Sequence, residues 1–325
     1  MIHIAAIDVG GTKIAGGLFS EDGKLLQENT ASVSGLAGRE VGRTICEMIR
    51  EFEESTFKSS GSRLKAIGIC VPGIYNPEKG TVWAPNLPGW ESYPLLDEIR
   101  NSLDSEIPVI IDSDRSCYIL GEVWRGAARG CRNAIYLAVG TGIGAGILAN
   151  GTVIQGTGYS AGAVGWMALN RPYFAGYQQF GCFEYHASGD GLARVYRNYL
   201  AEMPAYRGEL DGIPPNKLTA KDIFEAAKKN DTIAKKVIAE AVEYWGMSVA
   251  NLVSIFNPEK VILGGGVFES AAPLVGQIIT EAKKWAQPIA IEQASIELSA
   301  LGKFAGLYGA ARLALASIKR IDTYE

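Results

Sequence analysis

One pattern occurs twice in the chain and limits its fold more than any other feature. Ile4 to Phe19 runs as an apolar stretch, the tip Asp8-Val9-Gly10-Gly11-Thr12-Lys13 and a second apolar stretch, closed by the turn Glu21-Asp22-Gly23. Ala134 to Leu148 repeats it around the tip Gly140-Thr141-Gly142 and closes at Asn150-Gly151. Asp-Gly and Asn-Gly are favoured in two-residue hairpin turns, so each copy reads as a glycine-tipped β-hairpin. Copies about 130 residues apart, each opening a series of alternating β and α segments, imply a duplicated α/β domain. The phosphate loop GxxxxGK[ST] is absent at both tips. Glycine offers something else: a backbone that approaches a ligand closely and lines an anion with N–H groups.

Between and beyond the hairpins the chain alternates as such a fold requires. Val41, Ile45, Met48, Ile49 and Phe52 share a helical face, and Leu64 to Val71 is a β run that stops at Pro72-Gly73. Pro108 to Ile111 is a short buried strand that delivers Asp112-Ser113-Asp114-Arg115, with a helix from Cys117 to Trp124. Thr219 followed by Asp222 marks a helix start. Thr232 to Phe256 is a long helix ended by Asn257-Pro258, and Val261-Ile262-Leu263 leads into Gly264-Gly265-Gly266. Leu301-Gly302 precedes a last helix, Ala305 to Ile318. Gly156 to Gly191 is rich in glycine and aromatics and lacks periodicity, which reads as one long functional loop. The domains expected are 1–115 with 306–325, and 116–305.

Composition removes several classes of function. The 325 residues are 47% apolar, and the net charge of −4 comes without basic blocks, which argues against nucleic acid as a partner. No run approaches the length of a membrane span, and the amino terminus has no signal-peptide pattern. The five cysteines are scattered with no CxxC pair, as in a cytoplasmic protein with reduced thiols. Two histidines exclude a histidine-rich metal site.

Three glycine tips follow buried strands: Gly10-Gly11, Gly140-Thr141-Gly142 and Gly264-Gly265-Gly266. In open α/β sheets ligands sit beyond the carboxyl ends of the strands, so two facing hairpins and a triple glycine suit the phosphates and base of a nucleotide. Asp8, at a strand end beside the first tip, suits a magnesium ion held through water, because Mg²⁺ keeps much of its hydration shell. Phosphoryl transfer to an alcohol also needs a base to take the hydroxyl proton. Asp112 and Asp114 compete for that role. Alternation along the strand puts them on one face, and either could instead cap the helix that follows.

These residues resemble the ROK family (repressors, open reading frames and kinases). The resemblance rests on Asp8-Val9-Gly10-Gly11-Thr12-Lys13, Pro72-Gly73, Pro85-Asn86-Leu87-Pro88-Gly89-Trp90, Gly140 to Gly144 and Leu263 to Gly266. Leu301-Gly302 followed by Ala305-Gly306-Leu307 and Gly309-Ala310-Ala311 extends it to the carboxyl end. It implies the sugar kinase/hsp70/actin (ribonuclease H-like) fold, two α/β domains flanking a catalytic cleft, and phosphorylation of a hexose or amino sugar by ATP with Mg²⁺. By the same resemblance Asp114 is the base and Asn86 and Glu184 contact the sugar. Thr12 and Thr141 lie at the phosphates, Gly265 on the adenosine side, and the protein is a homodimer; Lys13, in the first glycine tip, is expected among the residues that bind the nucleotide. Family repressors carry a winged helix-turn-helix ahead of the first hairpin; this chain begins seven residues before Asp8, so DNA binding is not expected.

The chain departs from the pattern at the sugar end. Where family kinases have AGE(I/V)GH, it reads Ala161-Gly162-Ala163-Val164-Gly165-Trp166, without the Glu and His that hold the sugar. Of the zinc motif CxCGxxGC only Gly181-Cys182 remains, and one cysteine cannot build a tetrahedral site, so no zinc is expected. His186 reads as structural. Ser113 replaces the family's Asn before the base, and is expected at the sugar together with Asn86, Asp114, Trp166 and Glu184. Trp166 could stack on an apolar sugar face or fill the space of the missing loop. The reading is a glucokinase-like kinase with an altered sugar pocket; the alternative is a degenerate protein that binds sugar or nucleotide without turnover.

Overall fold

The computed structural model describes residues 2–103 and 106–319, the last without its side chain. Residues 320–325, with which the expected first domain closes, lie outside them. The chain divides into two compact units, Met1–Gly130 with Gly151–Ala161 and Phe304–Glu325, and Cys131–Asn150 with Gly162–Lys303.

The first unit is built on the sheet β3-β2-β1-β4-β7. Its strands are β1 (His3–Val9), β2 (Lys13–Ser20), β3 (Leu25–Ser32), β4 (Ala66–Val71) and, after the small hairpin β5 (Ile74–Asn76) and β6 (Thr81–Trp83), β7 (Val109–Ser113). β1 pairs antiparallel with β2 and parallel with β4, which pairs parallel with β7. Central β4 reads Ala-Ile-Gly-Ile-Cys-Val and is buried throughout, as a strand covered on both faces must be. Edge strand β3 alternates half-buried and exposed residues. The expected helix runs Arg39–Ser60, buries Val41, Ile45, Met48, Ile49 and Phe52, and ends at left-handed Gly61.

The second unit repeats the plan, with β8 (Ala134–Val139), β9 (Ile143–Ala149), β11 (Lys260–Gly264) and β12 (Ser295–Leu298); the short β10 (Thr152–Val153), after the Asn150-Gly151 turn, falls in the Gly151–Ala161 segment of the first unit. β8 pairs antiparallel with β9 and parallel with β11, and β11 pairs parallel with β12. The duplication read from the glycine tips is therefore a duplication of sheet topology. The helix Thr232–Phe256 starts at Asp231, whose side chain accepts the Ala234 N–H, and stops at left-handed Asn257.

The carboxyl-terminal helix, Ala305–Lys319, packs on β1, β4 and the helix Asp114–Arg125. Close approach needs bare backbone here: a Cβ on Gly68 would collide with the Ala310 carbonyl, and one on Gly309 with the Cys117 carbonyl.

Two sequence expectations are corrected. Gly156 to Gly191 is not one loop: it holds a 3₁₀ turn at Val164–Trp166 and helices at Tyr177–Phe180 and Cys182–Ala187. These pieces are too short to show a period, and Gly181, at φ 80°, breaks the two helices apart. Asp112 and Asp114 do not share a strand face either. β7 ends at Ser113 and Asp114 is the first helical residue, so alternation does not reach it.

Candidate active site

In the first unit the strand register brings the acidic residues to one level. Asp8 is paired with Cys70 across β1 and β4, and Cys70 with Asp112 across β4 and β7. Asp114 follows two residues on, at the start of the helix. Ser113 is buried and caps that helix, its hydroxyl accepting the Ser116 N–H.

The two competing aspartates differ in what already holds them. Asp112 accepts from the Ser113 N–H through Oδ1 (2.7 Å) and from Gln155 Nε2 through Oδ2 (3.0 Å). Asp114 accepts only the Arg115 N–H, through Oδ1 at 2.8 Å; no described residue donates to its Oδ2. Burial pushes Asp114 up to about 6, offset in part by the Arg115 charge and N–H and reinforced by the charges of Asp8 and Asp112. Burial likewise raises Asp112.

Asp8 is half-buried near the tip of the first hairpin. Burial pushes its carboxyl up to about 6, while a hydrogen bond from Cys70 and the charge of Lys13 pull it down. A Cβ on Gly306 would strike the Asp8 carboxylate, so the first turn of the carboxyl-terminal helix lies bare against it. Such a half-desolvated carboxylate gains from a divalent cation and fits one coordinated mainly by phosphate and water. Among the described residues no cluster of three or more His, Cys, Asp or Glu is arranged to hold a metal by itself.

The hairpin turn closes with the Gly10 N–H donating to the Lys13 carbonyl at 2.9 Å. Gly11, Thr12 and Lys13 are exposed. A Cβ on Gly11 would be 3.7 Å from Asn86, so the sequence motif carrying Asn86 is adjacent to the tip. Asn86 is itself exposed.

In the second unit the other two glycine tips are neighbours. A Cβ on Gly265, which has φ 91°, would collide with the Val139 carbonyl at the end of β8, just before Gly140. Gly266 opens the helix Gly266–Ala271, and nothing lies within 4 Å of a Cβ placed on it or on Gly140. Gly264 is buried against the Tyr136 ring. The Gly189 N–H donates to the Gly140 carbonyl at 2.7 Å, which sets the amino end of the helix Gly189–Glu202 beside the tip. Thr141 is exposed. Open, exposed backbone at several glycines is the surface a nucleotide needs for close approach.

Glu184 belongs to the same neighbourhood. Its Oε2 accepts the Ile143 N–H at 2.7 Å, and a Cβ on Gly142 would stand 2.8 Å from it. Gly165 packs on the Glu184 side chain, with a would-be Cβ at 3.0 Å, and Trp166 follows at 56% exposure. At that exposure Trp166 is no part of the core. Burial raises the Glu184 carboxyl. Ala163 is exposed.

An aromatic cluster holds the segment that carries Glu184. His186 stacks on Tyr244 (4.5 Å, 8° between planes), and its Nε2 meets the Tyr177 hydroxyl at 2.8 Å. Phe174 packs edge-on against Tyr177 and Tyr185, and Arg194 lies 4.0 Å over the Phe180 ring while donating to the Tyr185 carbonyl. Burial, with help from the Arg194 charge, lowers His186 to about 4, so the ring is neutral at physiological pH.

Sequence reading missed Gly189, Gln155, the Cys70 position and the placement against Asp8 of Gly306, which it names only as part of the carboxyl-terminal motif. Gly189-Asp190-Gly191 after Ser188 carries a glycine and N-cap signal that pointed there; the other three are placed by tertiary packing alone.

A duplicated α/β unit with glycine-tipped strand ends and a terminal helix bare against an aspartate defines the sugar kinase/hsp70/actin class of fold. The chain belongs to the ROK family, whose profile matches residues 4–317. It is 31% identical over 307 residues to the glucokinase of Halalkalibacterium halodurans, covering 93% of this chain and 92% of that one. It is 32% identical to the glucokinase of Thermotoga maritima, covering 96% and 97%. The ROK family glucokinase of Streptomyces griseus, solved in complex with glucose and AMPPNP, superposes with a TM-score of 0.75 at 28% identity, covering 96% of this chain and 99% of that one.

Proposed function

We propose that the protein is an ATP-dependent sugar kinase that transfers the γ-phosphate to a hydroxyl of a hexose or related sugar, in a pocket altered from that of a glucokinase. Membership of the family and the glucokinase relatives support the reaction class. The observation that carries the residue assignment is the contrast between the two aspartates: both Asp112 oxygens are occupied, whereas Asp114 keeps one open. Asp114 Oδ2 takes the proton of the acceptor hydroxyl as that oxygen bonds to the γ-phosphorus and the bond to ADP breaks. A carboxylate raised to about 6 is still ionised at neutral pH and is a stronger base than an ordinary aspartate. Magnesium, held through water at Asp8, would neutralise the phosphate charge that develops. Thr12 and Lys13, with the backbone of Gly10 and Gly11, and Thr141, with Gly140 and Gly142, hold phosphate. Gly264, Gly265 and Gly266 form the nucleoside surface.

At the acceptor end Asn86, Asp114 and Glu184 supply the polar contacts, and Ser113 acts through the helix it caps. Ala163 offers no carboxylate, and exposed Trp166 offers an indole face for an apolar sugar surface. Sites that hydrogen-bond a hydroxyl discriminate strongly, so this pocket accepts a sugar other than glucose or a wider range. No helix among the described residues is long and apolar enough to cross a membrane. A cytoplasmic homodimer without zinc completes the proposal; it rests on the resemblance and on the loss of the cysteine motif. The test is ADP release across hexoses, amino sugars and polyols with ATP and Mg²⁺, in the parent and in Ala163→Glu. A shift of preference toward glucose in the variant supports the altered pocket; identical profiles refute it.

A further inference from the structure

Arg115 stands directly after Asp114, and the scheme above gives it no part. Its guanidinium pairs with no carboxylate within salt-bridge distance among the described residues. Nη1 donates to the Ser160 carbonyl at 3.2 Å and Nη2 to the Gly73 carbonyl at 3.3 Å, while its own N–H donates to Asp114 Oδ1. Three pieces of chain thus meet at one residue: the helical turn carrying the base, the turn after β4, and the excursion Gly151–Ala161. The excursion makes a second attachment at the same place, through Gln155 to Asp112.

An ordinary surface arginine would touch carbonyls without consequence. Here the side chain is half-buried, and its two carbonyls belong to segments far apart in sequence. Gly73 has φ 89°, and a Cβ there would collide with the Trp83 carbonyl, so the acceptor at that end is fixed by packing. A planar guanidinium reaches two acceptors at once from a rigid fork, which an ammonium does not.

We propose that Arg115 is a positioning residue for the phosphoryl transfer: by bridging the Ser160 and Gly73 carbonyls it fixes the first turn of the helix and, with it, the direction in which Asp114 presents its open oxygen. A base must meet the hydroxyl within hydrogen-bond reach, and displacement by about 1 Å costs on the order of 10²-fold in rate. The inference rests on the kinase reading, with Asp114 as base.

The experiment uses the full chain with ATP, Mg²⁺ and the best sugar of the parent's panel. Arg115→Ala is expected to lower kcat about 10- to 100-fold with the KM values for ATP and sugar nearly unchanged. Millimolar guanidinium is expected to restore part of the rate to Arg115→Ala, and Arg115→Lys to remain as slow as the alanine variant. A kcat within about twofold of the parent, or a loss that guanidinium does not reverse, overturns the proposal. If the parent turns over no sugar, the kinase reading has failed and the inference falls with it; the parent's own rate tells the two failures apart.

Discussion

Asp114→Asn should make the protein slower and more stable at the same time. Burial raises the carboxyl from its ordinary 3.8 to about 6. The folded state then holds a proton more tightly than the unfolded chain, so stability falls as pH rises from about 4 to about 6 and stays lower above. At 1.36 kcal/mol per pH unit, the rise corresponds to about 3 kcal/mol, an upper bound because the neighbouring acids share the effect. Asparagine has the same shape, can still accept the Arg115 N–H and carries no charge. At pH 7.5 the variant should therefore unfold about 1–3 kcal/mol later than the parent, and at pH 4 the difference should vanish. Turnover should fall about 10²–10⁴-fold, the contribution of a well-placed base. The parent's kcat/KM should decline below about pH 6 as the base protonates. Urea unfolding at the two pH values and a pH–rate profile read these quantities. Turnover within about tenfold of the parent would refute Asp114 as the base, and a stability gain that is absent at pH 7.5 would refute burial as the cause of its raised pKa.

Three further outcomes follow. Glu184→Ala should cost about 1–3 kcal/mol of stability because the Ile143 N–H loses its acceptor; Glu184→Gln should recover the stability while leaving the sugar KM raised, as unfolding curves and steady-state kinetics will read. Tyr244→Ala should lower the melting temperature and raise the sugar KM by loosening the ring stack under His186. Dialysis against a chelator, followed by return of Mg²⁺, should leave both activity and melting temperature unchanged, since the Phe174–His186 segment is held by rings and hydrogen bonds; a loss restored by zinc would contradict this.

Much of the fold was legible because the duplication is written locally. Glycine tips, Asp-Gly and Asn-Gly turns and the Asn257-Pro258 stop all act within a few residues, so the helix Thr232–Phe256 was read with its observed bounds. The ambiguity between Asp112 and Asp114 was not resolvable by strand alternation, because the strand gives way to a helix between them at Ser113, whose capping hydroxyl fixes the boundary. The adjacency of Gly140 to Gly265 and of Asp8 to Gly306 joins residues distant in sequence, and no local pattern encodes it. The Gly156–Gly191 segment was misread for a different reason: its order comes from ring packing around Tyr177, Tyr185 and His186, which has no period. The nucleotide end was thus readable from backbone chemistry, while the sugar end depends on which side chains converge there.

The most direct measurement of the central claim is ³¹P NMR of the protein with ATP, Mg²⁺ and each sugar of the panel. The account predicts that the γ-phosphate signal of ATP disappears as a sugar phosphate monoester and ADP appear in equal amounts, with a sugar other than glucose as the best acceptor or with several accepted alike. Sugar or nucleotide that binds by calorimetry while the ATP signals stay unchanged would contradict it and leave a binding protein without turnover.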